Sequence, residues 1–96
     1  MATNSGKREE GRGNRAIRVR VLLFARYAEL LGQTELEFNV DAPATVRTVL
    51  DTLRGMAGGA QLPPSPMVAR NQVHAQLDTV LEDGDELAVL PPLAGG

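Results

Sequence analysis

The sequence contains no cysteine. That excludes a disulfide framework, a thiolate-held metal site and a cysteine nucleophile, and it fits a reducing compartment. Tryptophan is also missing, and aromatic residues make up only 3% of the chain, as Phe24, Tyr27 and Phe38. Histidine occurs once, at His74, and lysine once, at Lys7. Long apolar runs are lacking too. The longest, Val21 to Ala25, falls far short of the roughly 20 residues that a membrane-spanning helix needs. The N-terminal stretch MATNSGKREEGRGNR has no apolar segment of signal-peptide type. These absences predict a cytoplasmic protein without a membrane partner.

A length of 96 residues suits one domain and no more. Net charge is −2 but unevenly spread. Residues 1–16 carry four bases (Lys7, Arg8, Arg12, Arg15) against Glu9 and Glu10, a balance of +2. The remaining 80 residues carry six arginines against ten acids, a balance of −4. An acidic body with so few aromatics lacks the basic, stacking surface of a nucleic-acid binder. No nucleic-acid partner is expected, and a basic protein surface fits better.

Residues 1–15 are polar, glycine-containing and almost devoid of apolar side chains, so ordering them would cost more entropy than burial returns. They read as a disordered leader, with a basic docking arm as the alternative. Order is expected from residue 16 to residue 90. Ile17, Val19, Val21 and Leu23 alternate with Arg18, Arg20, Leu22 and Phe24, the period of a strand. Ala25 to Leu31 favours a short helical turn stopped by Gly32. Leu36, Phe38 and Val40 alternate with Glu35, Glu37 and Asn39, giving a second strand able to form a hairpin with the first.

The clearest helix follows. Thr45 suits its N-cap, and Val46, Val49, Leu50 and Leu53 share one face. Gly55, Gly58 and Gly59 end it. Ala60 to Pro66 contains three prolines and reads as irregular loop. Met67 to Arg70 and Val73 to Gln76 are short strands about an Asn71-Gln72 turn. Glu82-Asp83-Gly84-Asp85 is a turn before a last strand, Glu86 to Leu90. An amphipathic helix connecting an early hairpin to late strands, and covering one face of a small mixed sheet, predicts an α+β fold of β-grasp type.

If Val19, Val21, Leu23, Leu87 and Val89 face the helix, parity puts Leu22, Phe24, Ala88 and Leu90 on the open face, with His74 one strand away. Apolar groups on an uncovered face near the end of the last strand point to partner docking, set against ordinary exposed apolar surface. The sequence then ends Pro91-Pro92-Leu93-Ala94-Gly95-Gly96. The prolines favour a stiff, extended exit, and six such residues reach at most about 20 Å. The side chains taper toward the Gly96 carboxylate, as threading into another protein's active site requires. A Gly-Gly end alone is also what a frayed terminus looks like.

No rival chemistry competes. His74 has no second histidine or acidic sequence neighbour to make it a base or a ligand, and no metal site is expected. Asp83 and Asp85 lack the further ligand positions of a calcium loop and read as a tight turn. Gly58-Gly59 lacks the lysine and spacing of a phosphate loop. The acids Glu82, Asp83, Asp85 and Glu86 either keep the turn solvated or steer the tail toward a basic rim.

Leu22-Leu23-Phe24-Ala25-Arg26-Tyr27-Ala28-Glu29-Leu30-Leu31-Gly32 resembles the first strand and turn of the molybdopterin synthase small subunits. Ala69-Arg70-Asn71-Gln72, Leu81-Glu82-Asp83-Gly84-Asp85-Glu86-Leu87 and the Pro91-to-Gly96 ending resemble the same family, in family order. The resemblance implies a ubiquitin-like β-grasp sulfur carrier, a non-catalytic sulfur-donating subunit with no permanently bound cofactor. It implies that an ATP-using adenylyltransferase activates the Gly96 carboxylate and that a sulfur donor converts it to a thiocarboxylate. The tail of Pro91, Pro92, Leu93, Ala94 and Gly95 then enters the synthase large subunit, whose contact positions match Phe24, His74 and Leu90. Carriers for thiamine, cysteine or tRNA thiolation, and protein modifiers conjugated through Gly96, end similarly. Pro91-Pro92 and the Arg26-to-Gly32 turn favour the molybdopterin branch.

Overall fold

β1 (Arg15–Leu23) alternates as its sequence requires: Ile17, Val19, Val21 and Leu23 are buried while Arg18 and Arg20 are exposed. A computed structural model describes residues 15–92 of the chain. The chain turns through α1 (Arg26–Leu31), which Gly32 closes in the left-handed region, and returns as β2 (Glu35–Ala42). β2 pairs antiparallel with β1, setting Leu22 opposite Glu35 and Val19 opposite Phe38.

β3 (Ala44–Thr45) leads directly into α2 (Val46–Arg54). Thr45 caps α2 reciprocally: its Oγ1 accepts the Thr48 N–H at 3.4 Å, and Thr48 Oγ1 accepts the Thr45 N–H at 3.1 Å. Two otherwise orphaned donors are thereby satisfied. Val46, Val49, Leu50 and Leu53 bury the apolar face of α2. Full burial of each such side chain contributes about 1.5–3 kcal/mol, more than intrinsic propensity gives so short a helix.

The exit from α2 runs tightly against other backbone. Gly58 has φ +84°, and a Cβ there would meet the Leu30 carbonyl; a Cβ on Gly59 would meet the Leu53 carbonyl. These glycines serve close approach between segments. A 3₁₀ turn, Gly59–Gln61, follows and plants Leu62 in the core, so part of the expected irregular loop is ordered. β4 (Met67–Arg70) and β5 (Val73–Ala75) then form a hairpin through Asn71 and Gln72, both at positive φ. β6 (Val80–Leu81) pairs with β3 as a separate two-stranded ribbon, and β7 (Asp85–Leu90) ends the described core.

The sheet order is β2-β1-β7-β4-β5. β7 lies centrally, parallel to β1 and antiparallel to β4. This is the predicted α+β, β-grasp arrangement. Three expectations need correction. Arg15, expected in the leader, already belongs to β1, its backbone continuing the ladder opposite Ala42. The last strand starts at Asp85 rather than Glu86, and β5 stops at Ala75. The β3–β6 ribbon was not anticipated. Residues 1–14, nearly all of the expected leader, lie outside the described residues, as do Leu93, Ala94, Gly95 and Gly96. No helix among the described residues is long and apolar enough to cross a membrane.

Candidate functional site: the tail exit and the open sheet face

α2 packs on one face of the sheet, and the register defines what the other presents. Leu22 stands beside Ala88, Ala88 beside Ala69, and Ala69 beside His74. At the end where β7 delivers the tail, Leu90 pairs with Met67. Leu23 pairs with Val89, so Phe24, the next residue, comes level with Leu90. Phe24 is 43% exposed and Met67 40% exposed, while Leu90 is half-buried. Phe24 and Leu90 therefore lie at the same end of the neighbouring strands β1 and β7, at the tail exit, with His74 exposed on the adjoining row. Phe24 is not under the helix. Pro91, half-buried, and Pro92, exposed, follow Leu90 at this corner.

Met67 was missed by sequence reasoning, although Val68 alternates with it and with Ala69 as buried against open. An open groove of about 410 Å³ adjoins the exit, lined by Tyr27, Pro63, Ser65, Pro66, Met67, His74 and Pro92. Its prolines and methionine make an apolar wall directly where the tail leaves.

The far end of the same face is charged. Arg20 Nη2 meets Glu86 Oε2 at 2.9 Å and Arg20 Nη1 meets Glu35 Oε2 at 3.5 Å; Arg18 and Glu37 approach to 3.9 Å. Such exposed pairs contribute well under about 1 kcal/mol each, but they divide the face into an apolar half at the tail and a salt-bridged half beyond.

The acidic turn is not the free cluster that steering needs. Asp85 is 6% exposed. Its Oδ2 accepts Arg70 Nε at 2.6 Å and the Glu82 N–H at 2.7 Å, and its Oδ1 accepts Asn71 Nδ2 at 2.9 Å. Asn71 is pinned in turn, because its Oδ1 accepts the Glu86 N–H at 2.9 Å and its own N–H donates to the Glu86 carbonyl. Asp83 Oδ1 accepts the Arg18 N–H at 2.8 Å, and Glu86 pairs with Arg20. Burial alone would push the Asp85 carboxyl up. The Arg70 guanidinium, the Glu82 amide and the Asn71 amide outweigh it and hold the group below its ordinary value. The same bond raises Arg70 further. Asp85 and Glu86 are thus neutralised at contact, which corrects the picture of four acids facing a partner. The tight-turn reading of Asp83-Gly84-Asp85 stands. Among the described residues, no three His, Asp or Glu side chains are grouped as metal ligands.

Residues 21–96 match the ThiS family. The chain is 38% identical to small archaeal modifier protein 3 of Haloferax volcanii, over 76% of this chain and 92% of that one. It is 35% identical to the molybdopterin synthase sulfur carrier subunit of Drosophila erecta, over 83% and 92% of the respective lengths. Its fold superposes on the crystal structure of SAMP1 from Haloferax volcanii with a TM-score of 0.70 at 34% identity, covering 82% of this chain and 99% of that one. The chain belongs to the ThiS family of ubiquitin-like β-grasp sulfur carriers, alongside molybdopterin synthase carrier subunits and archaeal modifiers.

Proposed function

We propose that this chain is the sulfur carrier subunit of a molybdopterin synthase, working in the cytoplasm. Its Gly96 carboxylate attacks the α-phosphate of ATP on a ubiquitin-activating-like adenylyltransferase, releasing pyrophosphate. Hydrosulfide delivered by a donor system then attacks the acyl-adenylate carbon, displacing AMP and leaving a thiocarboxylate. Pro91, Pro92, Leu93, Ala94 and Gly95 carry that sulfur into the large subunit, where it passes to the pterin precursor. Phe24, Leu90 and His74 form the docking face. A thiocarboxylate carries nucleophilic sulfur without any cysteine, consistent with a chain that has none.

The observation that supports this most is positional. Central strand β7 ends at a corner where Phe24, Leu90 and Met67 leave an apolar row uncovered, and Pro91-Pro92 starts there. A partner that seats this row fixes the tail's starting point, so a short tail is enough to reach a buried active site. The test is the last residue. Deleting Gly96, or appending one residue after it, is expected to abolish sulfur transfer while the domain remains folded. Normal product formation by the extended chain refutes the reading.

A second reading has its own support in the 38% identity to an archaeal modifier protein: conjugation of Gly96 to lysines of other proteins. Incubation with activating enzyme and ATP would then yield isopeptide adducts, visible by mass, in place of a free thiocarboxylate.

A further inference from the structure

Among the described residues, β2 forms one edge of the five-stranded sheet and pairs with β1 alone. It runs for eight residues, against three for β5 at the opposite edge. Among the described residues, no element other than β1 makes more than marginal contact with it. Among the described residues, nothing pairs with the row of backbone N–H and C=O groups along its outer side, the template that strand addition uses.

Its two faces differ. Leu36, Phe38 and Val40 pack against the core yet remain only half-buried, so the apolar layer under the sheet is unfinished at this edge. Glu35, Glu37 and Asp41 are exposed on the other face. Glu35 and Glu37 have arginine partners on the β1 side, whereas Asp41 stands opposite Ala16.

The charges decide which strand fits. Two copies of this chain meeting edge to edge would set these acids against one another, and like charges directly opposite oppose pairing. A strand with basic side chains on that face would pair with Asp41 and flank Glu35 and Glu37 on the side away from their arginines, and apolar side chains on its other face would extend the row of Leu36, Phe38 and Val40. We propose that the free edge of β2 is a strand-addition site for an extended protein segment alternating apolar and basic residues. The site lies across β1 from the tail strand β7 and does not depend on the sulfur-carrier reading.

The probe is a blocked peptide of alternating valine and lysine, matched to the eight residues of β2, titrated into the isotope-labelled full chain. Amide shifts and new protection from hydrogen exchange are expected along β2, with the Phe24, Leu90 and His74 amides unmoved. A valine–glutamate peptide is expected to bind roughly tenfold more weakly, from several mismatched cross-strand charges. A Glu37→Lys, Asp41→Lys chain should reverse that preference. The same β2 shifts with both peptides would leave the basic requirement overturned. The site itself is overturned by shifts mapping to the open face or to no strand, or by self-association through β2. It is also overturned if β2 amides are already protected and open only when residues 1–14 are removed, since the leader is then the occupant.

Discussion

Replacing Asp85 by Asn is the most informative change to the fold, because it keeps shape and removes only charge and one acceptor. In the native arrangement Asp85 Oδ2 receives two donors and Oδ1 receives Asn71 Nδ2. An amide can present its oxygen to only one side. If the oxygen stays with Arg70 and Glu82, the new NH₂ faces the Asn71 NH₂. Asn71 cannot rotate to relieve this, since its Oδ1 already holds the Glu86 N–H. Either orientation leaves a buried donor without an acceptor and weakens a charge-assisted bond, a cost of about 2–3 kcal/mol. For a domain of this size that lowers Tm by roughly 10–20 °C. Urea unfolding at neutral pH measures it directly. The pH dependence follows from the depressed carboxyl. Its contribution is fully present above the unfolded-state value of about 3.9 and is lost as pH falls through the lower folded value. Asp85→Asn should remove that acid-side loss as well as lowering the plateau. A cost below about 0.5 kcal/mol, the size of an ordinary surface change, with an unchanged acid limb, would refute the view that this network ties the β4–β5 turn to the start of β7.

Three further outcomes are expected. Phe24→Ala should weaken binding to the large subunit by about 1–3 kcal/mol with little change in Tm, as calorimetry and melting would show; unaltered affinity removes Phe24 from the docking face. His74→Gln should leave the rate of thiocarboxylation intact and alter partner affinity at most, and a lost rate would make His74 part of the chemistry. Gly58→Ala should cost more than about 1 kcal/mol in chemical denaturation, from its left-handed backbone and from contact with the Leu30 carbonyl.

Most of the fold was legible because its signals are periodic. The buried and open positions of β1, and the buried face of α2, follow directly from spacing. The β3–β6 ribbon was not legible, since strands of two residues have no period to read. Neither was the 3₁₀ turn, which a proline-rich stretch disguises. Asp85 is the instructive case. By composition it is one of four acids in a turn, and only alternation with Leu87 and Val89 marks it as inward-facing. That signal competes with the strong tendency of acidic side chains in a glycine-containing turn to face solvent. Of the candidate site, Phe24, Leu90 and His74 could be placed from parity, whereas Met67 needed the register of β4 against β7. Gly96 and its three preceding residues were legible only as sequence.

The proposed function stands on sulfur carriage by the Gly96 carboxylate. Its most direct test is the intact mass of the full chain after incubation with its activating adenylyltransferase, ATP and a sulfur donor. The expected result is a mass increase equal to exchanging one oxygen for sulfur, located at Gly96 by fragmentation and reversed on transfer to the large subunit with pterin precursor. An unchanged mass with active partners, or sulfur found anywhere but the terminal carboxyl, would contradict it.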